Sequence, residues 1–119
     1  MTNGFLTTHV LDTGRGMPAH DLTISLYRLE GDNRIHLRDM VTNADGRTDA
    51  PILPKGEFTT GRYVLVFHAG SYLDQHYDDL PEPKFLSEVP IEFGISDADA
   101  HYHVPLLLSP FGYSTYRGS

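Results

Sequence analysis

Cysteine is absent from this chain of 119 residues. That removes disulfide frameworks, thiolate-bound zinc, iron–sulfur clusters and a cysteine nucleophile. Positive charge is scarce: nine Lys and Arg stand against sixteen Asp and Glu, a formal net charge of −7. Non-specific nucleic-acid binding needs clustered Lys and Arg, so nucleic acid is not an expected partner. No apolar run approaches the roughly 20 residues that span a bilayer, so no membrane partner is expected either. The opening MTNGFLTTHV has neither a charged n-region nor an apolar stretch, which predicts no signal peptide and a cytoplasmic protein. A phosphate-binding glycine loop, a G-x-S-x-G elbow and a dinucleotide fingerprint are also missing.

What is present suits one domain over residues 1–119. Apolar residues make up 39% and charged residues 21%, a composition that folds rather than stays disordered. A chain of this length buries roughly 65% of its unfolded surface, enough for a core without staples. Leu22, Ile24 and Leu26 alternate with Asp21, Thr23, Ser25 and Tyr27, the period of a half-buried strand. Val89, Ile91, Phe93 and Ile95 repeat the pattern, and residues 62–68 are rich in β-formers. Further strands are expected over 5–11, 35–42 and 102–108, with a short last one over 113–116. The turns between them, DTGRG, EGDN, NADG and SPFG, carry Gly, Pro, Asn and Asp. About seven short strands at this spacing predict an antiparallel β-sandwich. The long polar gap over 70–87 has room for one short helix near 71–77.

Seven histidines invite a search for chemistry. Tyr102, Val104, Leu106 and Leu108 form a core face, so His101, His103, Pro105 and Leu107 point away from it. A face mixing His, Pro and Leu resembles an interface or pocket wall more than a solvated surface. On the first strand His9 shares a face with Phe5, Thr7 and Leu11, opposite Leu6, Thr8 and Val10; the pattern leaves open which face is core. Arg47 directly follows the NADG turn and can enter a cleft from the end of a sandwich. Asp45 and Asp49 are read as caps of that turn rather than cation ligands. The terminal Tyr116-Arg117-Gly118-Ser119 would ordinarily fray, but Phe111, Tyr113 and Tyr116 suggest a tail that is tied down.

Three stretches carry a resemblance. Leu6-Thr7-Thr8-His9-Val10-Leu11-Asp12, Thr42-Asn43-Ala44-Asp45-Gly46-Arg47 and His101-Tyr102-His103-Val104-Pro105-Leu106-Leu107-Leu108-Ser109-Pro110, with the terminal Tyr-Arg-Gly-Ser, resemble the 5-hydroxyisourate hydrolases of the transthyretin-related family. The likeness covers nearly the whole chain. The hormone carriers of the same fold lack the terminal tetrapeptide. One stretch, residues 72–86, fits no family pattern and is expected to lie away from any site.

The resemblance implies a transthyretin-like sandwich of two four-stranded sheets with one short helix. It implies a homotetramer with active sites at the mouths of a central channel. The implied reaction is hydrolysis of 5-hydroxyisourate, a product of urate oxidation, to 2-oxo-4-hydroxy-4-carboxy-5-ureidoimidazoline, without metal or cofactor. The implied catalytic set is His9, Arg47 and His103, with Tyr116, Arg117, Gly118 and Ser119 closing the site on substrate. His103 takes this part rather than His101 because it stands directly before Val-Pro-Leu-Leu-Leu. The residue types suit the reaction: histidine, with an unperturbed pKa of about 6.5, exchanges protons near neutrality, and arginine offers a charged planar fork to a developing anion. The sequence does not say which histidine is the base. Two other functions compete. A carrier of aromatic ligands would want an apolar channel, for which His9, Arg47 and His103 are the wrong lining. A zinc hydrolase would use His9, His101 and His103 as three imidazole ligands.

Overall fold

A computed structural model describes residues 3–118. The alternating segments form eight strands: β1 (Phe5–Asp12), β2 (Met17–Pro18), β3 (Thr23–Glu30), β4 (Asn33–Val41), β5 (Gly61–Phe67), β6 (Val89–Ile95), β7 (His101–Ser109) and β8 (Gly112–Thr115), with one helix, α1 (Ala69–His76), between β5 and β6. They make two four-stranded sheets, ordered β2-β1-β7-β8 and β4-β3-β5-β6. The inner faces supply the core, including Leu6, Val10, Ile24, Leu65, Leu106 and Leu108.

Two details depart from the sequence reading. One pairing is parallel, β1 with β7, while every other pairing is antiparallel. The first strand reaches β7 only after the chain has built the whole opposite sheet, so no hairpin constrains its direction. The last strand ends at Thr115, one residue earlier than expected, so Tyr116 has already left it.

The open question of which β1 face is core is settled by Leu6, Thr8, Val10 and Asp12, all buried. Two of these are polar, and both have partners. The Thr8 hydroxyl donates to the Val104 carbonyl at 2.7 Å. Asp12 accepts the phenols of Tyr72 at 2.7 Å and Tyr77 at 2.5 Å, and the Arg15 backbone N–H at 3.1 Å. The phenols are held in their neutral form: burial, with the Asp12 carboxylate adding to it, pushes the Tyr72 pKa up to about 12 and that of Tyr77 higher still. This network ties α1 to the end of β1. The stretch over 72–86 therefore begins as a structural brace, and Lys84 closes it with ion pairs to Asp74 and Glu82. None of it borders the cleft described next. No helix among the described residues is long and apolar enough to cross a membrane.

Candidate active site

The outward faces of β1 and β7 carry the candidate residues side by side. Parallel register pairs Phe5 with His101, Thr7 with His103 and His9 with Pro105. His9 therefore sits one diagonal step from His103 on the same surface. Thr7 lies between the two β7 histidines: its Oγ1 is 2.6 Å from His101 Nε2 and 2.8 Å from His103 Nδ1. The Phe5 ring stacks on His101 at 4.1 Å with planes 10° apart, fixing that imidazole from below.

Arg47 reaches this surface through its turn. The Asn43 side-chain oxygen accepts the backbone N–H groups of Asp45 at 2.9 Å and Arg47 at 3.2 Å, and Asn43 Nδ2 donates to Asp49 at 3.0 Å. The cap of this turn is therefore Asn43 rather than Asp45 or Asp49, and Asp49 holds the Asn43 amide in place. Gly46 has φ of +75°, and a Cβ there would meet the Val10 carbonyl oxygen at 2.3 Å. Only glycine fits, because the left-handed backbone and the close approach both exclude a side chain. Beside that approach the Val10 N–H donates to the Gly46 carbonyl at 2.8 Å. This bond docks the turn on β1 and delivers the next residue, Arg47, to the histidine face.

The result is a cleft of about 360 Å³ lined by Thr7, Arg47, Asp49, Pro51, His101 and His103 among others. A cleft near the lower end of the usual ligand-site range suits a small planar molecule. His9 does not line it but stands at its border. Burial and neighbouring positive charge set the protonation of the two histidines. Burial is the main cause holding the His103 pKa below its ordinary value of 6.5, with Arg47, His101 and His9 adding to it. Burial also lowers that of His9, again with Arg47, against opposition from the backbone and carboxylate of Asp45. Both imidazoles are therefore neutral, proton-accepting groups at pH 7.

The tail divides. The Gly118 N–H donates to the His103 carbonyl at 2.7 Å, and a Cβ on Gly118 would fall 2.6 Å from His103 Cδ2. Gly118 is thus pressed on the imidazole itself. Arg117 turns the other way and stacks its guanidinium over the Tyr102 ring at 4.0 Å. Tyr116 and Arg117 border a second, more apolar depression of about 240 Å³ with Ile91, Phe93 and Val104, separate from the His103 cleft in the single chain. Ser119 lies outside the described residues.

Sequence reading missed Thr7 and the wall over 48–51. The only signal for Thr7 was its place two residues before His9 on the same face. Among the described residues no three His, Asp or Glu side chains converge closely enough to hold a metal ion; His9, His101 and His103 do not form such a group.

The chain is similar to known proteins over nearly its whole length. The pattern of the HIUase/Transthyretin family matches residues 6–118. A protein of Rhizobium meliloti (strain 1021) named 5-hydroxyisourate hydrolase 2 is 62% identical over 117 residues, covering 98% of each chain. Among solved structures, a 5-hydroxyisourate hydrolase of Klebsiella pneumoniae superposes with a TM-score of 0.80 at 36% identity over the full length of both chains. An (S)-allantoin synthase superposes with a TM-score of 0.92 at 45% identity; 99% of this chain is covered, but it spans only 44% of that one. A match that runs from β1 through the tail glycine, and so includes every strand that builds the cleft, places this chain in the HIUase/Transthyretin family.

Proposed function

We propose that this protein is a cytoplasmic hydrolase that opens the six-membered ring of 5-hydroxyisourate to 2-oxo-4-hydroxy-4-carboxy-5-ureidoimidazoline in urate breakdown, using His9, Arg47 and His103 and no metal. The observation that carries the reading is the convergence of Arg47 and a neutral His103 on one cleft. Water adds to a ring carbonyl and yields a proton to an imidazole. The carbonyl oxygen becomes an oxyanion facing the Arg47 guanidinium. The C–N bond then breaks, the proton passes to the departing ring nitrogen, and the new carboxyl group ionises. An imidazole with a lowered pKa is a weaker base but is fully in its accepting form at neutral pH, and positioned proton transfer of this kind contributes roughly 10²–10⁴-fold. Arg47 has a second task. The chain carries a net charge of −7, which repels an anionic substrate, and a cation at the cleft reverses the local field.

The tail belongs to the same reading. Gly118 closes one side of His103, and Tyr116, Arg117 and Ser119 complete the enclosure of substrate once subunits assemble. The assembly is a homotetramer. Phe111, Tyr113 and Tyr116 stand 62%, 45% and 59% exposed along β8, from its turn to just past its last residue, an aromatic surface that association across two-fold axes would cover. Light scattering is expected to give four chains per particle, and a stable particle near the 13.3 kDa of one chain at micromolar concentration would refute it. The function itself is tested by ultraviolet monitoring of freshly generated 5-hydroxyisourate. The protein accelerates its decay under this reading, and decay at the spontaneous rate overturns it.

A further inference from the structure

We infer that Thr7 is a positioning residue that couples His101 to His103 and sets which nitrogen of His103 receives the proton of the attacking water; this rests on the hydrolytic reading above. One hydroxyl stands within hydrogen-bond distance of two imidazole nitrogens, His101 Nε2 at 2.6 Å and His103 Nδ1 at 2.8 Å. Each contact needs a proton, and the hydroxyl has one to give. At least one ring must therefore hold its own proton on the nitrogen facing Thr7. When His103 acts as a base at Nε2, that ring is His103: Nδ1–H donates to Thr7, and Thr7 donates to His101 Nε2.

The arrangement does two things. It aims His103 Nε2 away from Thr7, leaving it as the accepting nitrogen, while Gly118 beside Cδ2 holds the ring plane. It also gives the imidazolium formed during reaction a second acceptor. The Nδ1 proton shifts to Thr7 as the Thr7 proton shifts to His101 Nε2, and the positive charge passes to a ring stacked on Phe5. The shift reverses when His103 protonates the departing nitrogen, so no proton is gained or lost over the cycle. A relay of this kind matters because Arg47, His9 and His101 all disfavour charge on His103. Among the described residues, those three and Asp49, which lines the same cleft, are the titratable and charged groups around it. Gly118, packed on the ring from the tail, adds none.

The test uses Thr7→Val, Thr7→Ser and His101→Phe in the full chain. Valine keeps the β-branched shape and loses only the hydroxyl; phenylalanine keeps a ring against Phe5. Thr7→Val and His101→Phe are each expected to lower kcat about five- to tenfold with KM unchanged, the loss of one hydrogen bond appearing in the barrier. The double variant is expected to be no worse than either single one, because both cut the same chain. Thr7→Ser restores kcat, and the acid limb of the pH–rate profile moves in Thr7→Val but not in Thr7→Ser. Nitrogen-15 NMR of the imidazoles, recorded without substrate, is expected to show the Nδ1–H tautomer of His103 in the wild type and in Thr7→Ser and its loss in Thr7→Val. Unchanged kcat and tautomer in Thr7→Val overturn the inference, as does a serine variant as slow as the valine one. A wild-type protein that leaves 5-hydroxyisourate decay unaccelerated overturns the functional reading and the catalytic half of this one, while the NMR result still decides whether Thr7 couples the rings.

Discussion

Replacing Gly118 by alanine isolates the contact between the tail and His103. The added Cβ would lie 2.6 Å from His103 Cδ2 and 3.2 Å from Cγ, where carbon atoms pack best at about 3.5–4.0 Å. Roughly 1 Å must be found. The tail can retreat, which breaks the 2.7 Å bond from the Gly118 N–H to the His103 carbonyl. Alternatively the imidazole can rotate, which breaks the 2.8 Å contact of Nδ1 with Thr7. Either route gives up one hydrogen bond, about 1 kcal/mol net, and lowers Tm by a few degrees in a domain of this size. The effect on turnover is much larger, because a misplacement of about 1 Å at a reacting group costs about 10²-fold. The measurement is steady-state hydrolysis of 5-hydroxyisourate by Gly118→Ala beside a deletion of residues 116–119, with thermal melting of both. Both variants are expected to be folded and slow. Wild-type turnover in Gly118→Ala would show that the tail contact has no part in catalysis, and wild-type turnover in the deletion would remove the tetrapeptide from the site altogether.

His9→Ala, Arg47→Ala and His103→Ala are each expected to lower kcat/KM by about 10²-fold or more with little change in melting temperature, while His101→Ala does much less; a larger loss in His101→Ala than in His103→Ala would reverse their assignment. The lowered pKa values of His9 and His103 predict that turnover holds as pH falls through 6.5 and declines only below it. For stability the sign is opposite to that of a paired histidine. Between the lowered folded values and the ordinary 6.5 the unfolded chain binds more protons, so stability falls with decreasing pH in that window, and chemical denaturation of the wild type beside His9→Ala/His103→Ala measures the difference. Exhaustive chelation is expected to leave turnover intact; loss restored by added zinc would favour a three-imidazole metal site instead.

Local pattern was enough to determine much of this protein. Alternation of apolar and polar residues marked the strands and the core face of β7, because each depends only on neighbours two positions apart. The Asn-Ala-Asp-Gly turn and the terminal Tyr-Arg-Gly-Ser were legible as short motifs, and with the Tyr-His-Val-Pro-Leu-Leu-Leu-Ser-Pro run they pointed to the family. The β1 face was ambiguous for a physical reason. Thr8 and Asp12 look like solvent-facing residues until their partners appear, and those partners, the Val104 carbonyl and the phenols of Tyr72 and Tyr77, lie 60 or more positions away. The site was undetermined in the same way. Thr7 stands between two imidazoles only because β1 pairs with β7 in parallel and in one register; a shift of one residue would turn its hydroxyl into the core. Tertiary packing also separated the tail's neighbours, sending Gly118 onto His103 and Arg117 onto Tyr102. Sequence fixes which groups the chain owns, but hydrogen-bond register and close packing between distant strands decide which of them meet.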